Sequence, residues 1–307
     1  MAKKFNPRKK FKKSRQSTYL VGEDTELFKF LLIKINDKSR NKVKAMLAHK
    51  QFKVGASIIS QYNHPLKKGD EVTVSWDGGF KKESYEGVKI IFEDDDLIVI
   101  NKKSGLLSIG SAKEKRQTVY RIITHHIQQE NPVARLFVIH RLDREASGLM
   151  IFAKNKQSQI DLKDSWESTF SKNLYLAVTE GTIEKDMDTI ASFLNESKAL
   201  IVYSGKNPKL GKKAITHYNV VKKNEFFTLL ESTQETERKN QIRVHLKSIG
   251  HPIIGDKKYE AKQNPINRTA LHLRKINFIH PQSNEKMEFE TKVPEDFLKL
   301  FRHNYYR

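Results

Sequence analysis

The chain has 307 residues, no cysteine, and 57 lysines and arginines against 36 aspartates and glutamates, a formal net charge of +21. That length can bury a core for one large and one small domain, and the missing thiols exclude disulfides and thiolate metal sites. No apolar run reaches membrane-spanning length and the basic start lacks a signal-peptide core, so a cytoplasmic protein without a membrane partner is expected.

The cationic excess points to a polyanionic partner, because neutralised phosphates release condensed counterions. It begins at once. Residues 1–16 carry eight cations (Lys3, Lys4, Arg8, Lys9, Lys10, Lys12, Lys13 and Arg15) and no acid, the pattern of a basic disordered arm. Residues 17–76 then read as a small domain. Leu27, Phe28, Leu31, Leu32 and Ile35 recur at helical spacing, and Ser39 suits the N-cap of a second helix carrying Val43, Met46 and Leu47. The other face of that helix bears Arg40, Lys42 and Lys44. Phe52 to Ile59 reads as a strand, Lys67 to Asp70 as a turn, and Glu71 to Trp76 as another strand.

These helices, the strand pair and the basic helix start resemble the S4 RNA-binding domain, whose usual Leu-Ser-Arg-Ser helix opening is met in part by Lys38-Ser39-Arg40-Asn41. The resemblance implies that Arg40, Lys42 and Lys44 meet RNA, and a helix start with free N–H groups suits phosphate. Residues 77–87, with Gly78-Gly79 and Gly87, read as a linker, and from Val88 a larger domain begins. In Ile90 to Lys102, the acids Glu93 to Asp96 interrupt two apolar runs. Contiguous acids in that position mark a hairpin turn rather than a metal site.

Further on, Leu136 to Ile139 and Leu149 to Ala153 are short apolar runs flanking His140-Arg141-Leu142-Asp143-Arg144-Glu145-Ala146-Ser147-Gly148. Two buried strands joined this way would hold Asp143 at the rim of a sheet. A carboxylate among cations is held as the anion, which suits a nucleophile or base, although the same pattern serves a structural ion pair. Strand alternation over Leu174 to Thr179 puts Tyr175, Ala177 and Thr179 on one face. A lone strand tyrosine is commonly core, with its hydroxyl satisfied at an edge. Ile242, Leu246 and Ile249 form a helical stripe, with Gly250 as a C-cap and Pro252 preventing continuation. Gly205 to Lys212 lacks phosphate-loop spacing, Ser147 lacks a hydrolase elbow, and the histidines lack metal-ligand spacing.

The run His-Arg-Leu-Asp, then Ser-Gly-Leu and Phe-Ala-Lys, resembles the signature of RluA-type pseudouridine synthases. Tyr175-Leu176-Ala177-Val178, Arg238 to Leu246, His251 to Tyr259 and Leu271-His272-Leu273 resemble further motifs of that family, in the expected order between Ile90 and Pro281. The resemblance implies an α+β architecture, with a mixed or antiparallel sheet in a catalytic domain over 88–307 beside the α/β S4-like domain. It implies that Asp143 is the catalytic group acting on a uridine, Tyr175 the stacking platform for the flipped base, and Arg243 the partner of Asp143. Arg141, Leu142 and Arg238 would meet RNA or the flipped nucleotide, and Leu271 would form an apolar wall. No metal or other cofactor is implied. The expected partner is RNA, ribosomal foremost and transfer RNA second, with the protein a monomer. A non-catalytic RNA-binding or ribosome-assembly factor on the same scaffold is the alternative. The chain departs from the family pattern at Lys103, Ala146, Glu237, Lys239 and Asn240, most of them beside the proposed chemistry.

Overall fold

The computed structural model describes residues 15–55, 57–80, 85–110, 117–169 and 173–302, so the expected basic arm lies almost wholly outside the described residues. The chain divides into two compact units, Met1–Ser84 and Tyr85–Arg307.

The first unit comprises β1 (Gln16–Leu20), β2 (Thr25–Glu26), α1 (Leu27–Lys34), α2 (Arg40–Ala48), β3 (Phe52–Val54), β4 (Ser57–Ile59), β5 (Pro65–Leu66) and β6 (Glu71–Ser75). The periodic leucines of α1 bury Leu27, Phe28 and Leu31 against Val43, Met46 and Leu47 of α2; each such side chain contributes about 1.5–3 kcal/mol. The Ser39 hydroxyl accepts the Lys42 N–H at 3.3 Å, satisfying one of the free donors at the start of α2. The strands β1-β6-β3-β4 form one antiparallel sheet, and β2 pairs with β5.

Two sequence expectations change here. Phe52 to Ile59 is a hairpin rather than one strand: Gly55 at φ +54 reverses the chain, and Phe52 pairs with Ile59. Residues just past Trp76 stay with this unit, since Phe80 N–H donates to the Lys50 carbonyl at 2.8 Å and Asp77 accepts the Arg15 N–H.

The second unit comprises β7 (Val88–Glu93), β8 (Leu97–Lys102), α3 (Val119–Glu130), β9 (Phe137–Val138), β10 (Ser147–Ala153), α4 (Lys156–Thr169), β11 (Leu174–Glu180), β12 (Met187–Glu196), β13 (Val202–Gly205), β14 (Lys212–Lys223), β15 (Phe227–Gln234), α5 (Gln241–Ser248), β16 (Leu271–Ile279), β17 (Lys286–Glu290) and α6 (Glu295–Lys299). Its eleven strands form one sheet along β13-β12-β14-β15-β11-β16-β10-β8-β7, with β17 beside β16 and β9 beside β10. Among the described residues every pairing in this sheet is antiparallel except β10 with β16. The sheet is therefore mixed, as the family resemblance implies.

The acid run is the turn between β7 and β8. Asp94 Oδ1 accepts the N–H groups of Asp96 and Leu97 at 2.9 and 2.8 Å. All seven residues of β10 are buried, which is why this strand reads as a continuous apolar run instead of an alternating one. Helix α4 packs on β10 and β16. Helix α5 ends as its glycine suggests, with Gly250 at φ +85 donating to the Lys247 carbonyl. Ile249, expected on its buried stripe, is instead the C-cap residue and is 36% exposed; the helix stops one residue too early to turn it inward.

Gly148 is where β10 meets its parallel neighbour. Its φ is +123, and a Cβ there would lie 2.3 Å from the carbonyl oxygen of Leu273 on β16. No L side chain fits either the backbone angle or the space. Gly148→Ala is expected to lower stability by about 3 kcal/mol or more, by strain and forced strand separation, measured by urea unfolding; an unchanged midpoint would contradict this packing.

Candidate active site

The loop between β9 and β10 carries Asp143, and the segment 102–108 is its support. Lys102 is 1% exposed, and its ammonium donates to the carbonyls of Lys103, Leu106, Arg144 and Ala146 at 3.1, 2.8, 3.2 and 2.6 Å. Burial pushes its pKa down to about 8, against the opposing charges of Glu145 and Asp143. Gly105 N–H donates to the Arg144 carbonyl at 2.8 Å, and the Ser104 hydroxyl donates to that of Glu145. The Ser108 hydroxyl donates to the Leu142 carbonyl at 2.6 Å and accepts the Leu142 N–H at 3.2 Å. The loop's main chain is thus fixed on both sides of Asp143, as buried polar groups require.

Arg243, the third residue of α5, reaches this loop. Its Nη1 donates to Asp143 Oδ2 at 2.8 Å. On the other side Asp256 takes Nε at 2.7 Å and Nη2 at 2.8 Å, a bidentate grip. The Arg243 and Asp256 side chains are 4% and 1% exposed, whereas Asp143 is 32% exposed. The guanidinium also lies 5.0 Å over the Tyr259 ring. Burial disfavours its charge, but Asp256 and then Asp143 outweigh that and raise Arg243 above the ordinary arginine value. Gly255 makes the Asp256 grip possible. Its φ is +74, and a Cβ would lie 2.2 Å from the Arg268 carbonyl oxygen.

Asn240 closes the ring of contacts. It caps α5 in the left-handed region at φ 56, which asparagine tolerates better than most residues. Its side chain accepts from Arg243 Nη1 at 3.2 Å and donates to the Tyr259 hydroxyl at 2.8 Å.

These groups open onto a cavity of about 290 Å³ lined by Arg141, Leu142, Asp143, Tyr175, Arg238, Arg243 and Leu271. Every residue the sequence singled out in this unit is present, drawn from four separate stretches of chain. Tyr175 is half-buried on β11, and its hydroxyl has no hydrogen-bond partner among the described residues. Burial, then the charges of Glu237 and Asp143, push the Tyr175 hydroxyl above its usual range and keep it protonated. Asp143 Oδ1 likewise accepts no hydrogen bond from the described residues. Arg141 is exposed at the cavity, while Arg144 is turned away, its Nε donating to the Gly105 carbonyl at 3.0 Å. Arg238 donates to the carbonyls of Lys213 and Glu237. The departures Ala146, Glu237, Lys239 and Asn240 all lie in the cavity wall. Arg40, Lys42 and Lys44 are exposed on α2 of the first unit, with Arg40 and Lys44 near the Phe28 ring.

Sequence reasoning assigned no role to Asp256, Tyr259, Lys102 or Ser108. Each lies in or beside a stretch that it marked, but their role appears only once Arg243 is seen to be buried and to need a second anion. Elsewhere Asp94, Asp96 and His280 bring potential metal ligands within 4.8 Å of one another. Their atoms already serve the hairpin turn, Asn155, Ser158 and each other, which is a structural use. His280 and Asp94 are 186 residues apart, so spacing could not reveal them.

A family model described as RNA pseudouridylate synthase matches residues 96–248. The chain is 31% identical to the uncharacterized RNA pseudouridine synthase YhcT of Bacillus subtilis, over 86% of this chain and 88% of that protein. It is 34% identical to the ribosomal large subunit pseudouridine synthase D of Nitrosomonas europaea, over 70% of this chain and 64% of that protein. The solved human RNA pseudouridylate synthase domain containing 4 superposes with a TM-score of 0.56 at 22% identity, over 68% of this chain and 90% of that one, a likeness of fold.

Two outcomes follow from the buried polar groups. Asp256→Ala leaves a buried cation half-neutralised and is expected to cost about 3–5 kcal/mol in urea unfolding; Asp143→Ala, losing a partly exposed partner, should cost clearly less. Equal losses would contradict the asymmetry of the grip. Burial holds His140, His245 and His272 neutral, with pKa values lowered to about 3, 4 and 4. Their unfolded forms bind protons near pH 6.5 and the folded forms do not, so the stability they contribute is present above that pH and is lost as pH falls toward 4. On unfolding at pH 5 these three rings should bind up to about three protons from solution, and at pH 8 almost none, read from the pH dependence of the unfolding free energy. A flat dependence would contradict their burial as neutral rings.

Proposed function

The chain belongs to the RNA pseudouridylate synthase family and is an isomerase of RNA, and from that premise we propose that Asp143 carries the reaction on a uridine drawn into the 290 Å³ cavity. What carries this reading is one arrangement. A carboxylate with one oxygen held by a buried arginine and the other unbonded shares a cavity with an aromatic ring and an apolar wall. A base taken out of its helix needs a new stacking surface, and Tyr175 with Leu271 supplies one.

The reaction breaks the N1–C1′ bond and makes a C5–C1′ bond in the same nucleotide. The C5 proton is lost and N1 gains one, so substrate and product are isomers. Asp143 acts either as nucleophile or as base on the ribose; both roles need the unbonded anionic oxygen that Oδ1 offers. Arg243 fixes the carboxylate's orientation at 2.8 Å. Tyr175, kept protonated, stays an uncharged stacking partner beside that carboxylate.

The RNA is proposed to be large-subunit ribosomal RNA, supported by the similarity to the Nitrosomonas protein named for that subunit. The first unit is proposed to act as an S4-like RNA-binding domain, supported by the Ser39-capped helix α2 with Arg40, Lys42 and Lys44 exposed. Arg141 and Arg238 at the cavity are proposed to meet the phosphates or the flipped nucleotide.

Asp143→Asn is expected to abolish pseudouridine formation, mapped by carbodiimide primer extension on RNA from cells lacking the gene, while RNA affinity stays within about twofold. Near-normal modification would overturn the assignment. Replacing Arg40, Lys42 and Lys44 together by alanine should weaken RNA binding and reduce the slope of log affinity against log salt by about 2–3, measured by filter binding. An unchanged slope would remove α2 from the RNA interface.

A further inference from the structure

Ser147 opens β10 four residues after Asp143, and its buried hydroxyl is shared between two cationic or titratable side chains. Arg268 Nη1 donates to Ser147 Oγ at 3.0 Å, and His272 Nδ1 lies 2.8 Å from the same oxygen. His272 Nε2 lies 2.7 Å from the Thr291 hydroxyl, which donates to the Arg274 carbonyl at 3.3 Å. At the other end Asp296 of α6 clasps Arg268 through Nε and Nη2, at 2.6 and 3.1 Å, and Phe297 of α6 lies 4.6 Å beneath the guanidinium.

The chain of bonds has a direction. A guanidinium only donates and a carbonyl only accepts. Donation from Arg268 polarises the Ser147 hydroxyl to give its own proton to Nδ1. The ring proton then sits on Nε2 and is given to Thr291, whose proton goes to the Arg274 carbonyl. The reverse order would aim two N–H donors at one serine oxygen and send the serine proton to the Leu271 carbonyl at 3.4 Å. The relay crosses the sheet at its parallel pairing, where Ser147 faces His272 and Gly148 faces Leu273. One residue before His272 is Leu271, the apolar wall of the cavity.

We propose that Arg268, Ser147 and His272 are positioning residues for the isomerisation: the relay Asp296–Arg268–Ser147–His272–Thr291 sets the loop bearing Asp143 against the Leu271 wall, so that α6 governs turnover without touching RNA. This rests on Asp143 carrying the chemistry. Arg243 holds the Asp143 carboxylate and Lys102 holds the loop's carbonyls; the short main-chain pairing of β10 with β16 brings the loop's end to that strand, and the relay adds the side-chain link that sets its position there. A misplacement near 1 Å costs on the order of a hundredfold in rate.

The test is single-turnover pseudouridine formation on total RNA from cells lacking the gene, across enzyme concentrations, with Ser147→Ala, Arg268→Ala and Asp143→Asn in parallel. The relay predicts that Ser147→Ala and Arg268→Ala lower the saturating rate roughly 10- to 100-fold, with half-saturating enzyme concentration within about twofold. Imidazole nitrogen NMR of the full chain should show His272 neutral with its proton on Nε2, and that signature should change in Ser147→Ala. A wild-type saturating rate in folded Ser147→Ala, or a loss of thermal stability without a loss of rate, overturns the proposal, as does a His272 proton on Nδ1. Should Arg268→Ala fail to fold, Ser147→Ala, which removes a single oxygen, decides. If Asp143→Asn stays active, the reading of Asp143 fails and the relay falls with it; if Asp143→Asn is inactive and Ser147→Ala normal, the relay alone fails.

Discussion

A buried guanidinium hydrogen-bonded to two carboxylates, with the exposed Glu145 a third at 3.5 Å, is the constraint on which the site depends. Arg243 is nearly inaccessible to water, and a lone cation there would be costly in the low dielectric of the interior. Asp256 neutralises it with two hydrogen bonds and is itself buried; Asp143 provides the second anion from a partly exposed loop. The asymmetry divides the work. Asp256 makes the arginine stable, and the arginine can then fix Asp143 while leaving its other oxygen toward the cavity. Tyr259 below and Asn240 beside the guanidinium remove its remaining freedom.

The same economy of motion governs the main chain. The loop bearing Asp143 has its carbonyls taken by Lys102, Ser104, Gly105 and Ser108, and it runs directly into a strand buried along its whole length. That strand can approach β16 in parallel only because Gly148 has no side chain. Sequence, packing and chemistry therefore meet within a few residues: the glycine permits the crossing, the crossing places Leu271 near Asp143, and the two face one cavity.

Much of this was legible in the chain because the site's residues lie in motifs with strong local character. The apolar run Leu149 to Ala153, the strand around Tyr175 and the α5 stripe with its Gly250 stop all carry periodic or capping signals. Asp143, Tyr175, Arg243 and Leu271 could be named from them together with the family resemblance. What stayed hidden was partnership at long range. Nothing local says that Asp256 serves Arg243, that Lys102 serves carbonyls beyond Asp143, or that Arg268 joins α6 to Ser147. The half-exposed strand β1 and the two-residue pairs β2 and β5 lack apolar alternation and depend on neighbours rather than on their own residues. The hairpin at Gly55, by contrast, has a two-residue loop opened by glycine, a local signal that the reading as one strand passes over. The substitution at Asn240 is explained by the structure, since asparagine suits the left-handed cap and bridges Arg243 to Tyr259.

The most direct test of the central interaction is the saturating rate of pseudouridine formation by Arg243→Lys on in vitro transcribed large-subunit ribosomal RNA and, in parallel, on total RNA from cells lacking the gene. Lysine keeps the charge but cannot grip Asp256 with two bonds and still reach Asp143. The rate is expected to fall by about a hundredfold with RNA affinity within about twofold. A rate close to that of the unaltered protein would contradict the claim that the buried guanidinium, and not simply a positive charge, orients Asp143.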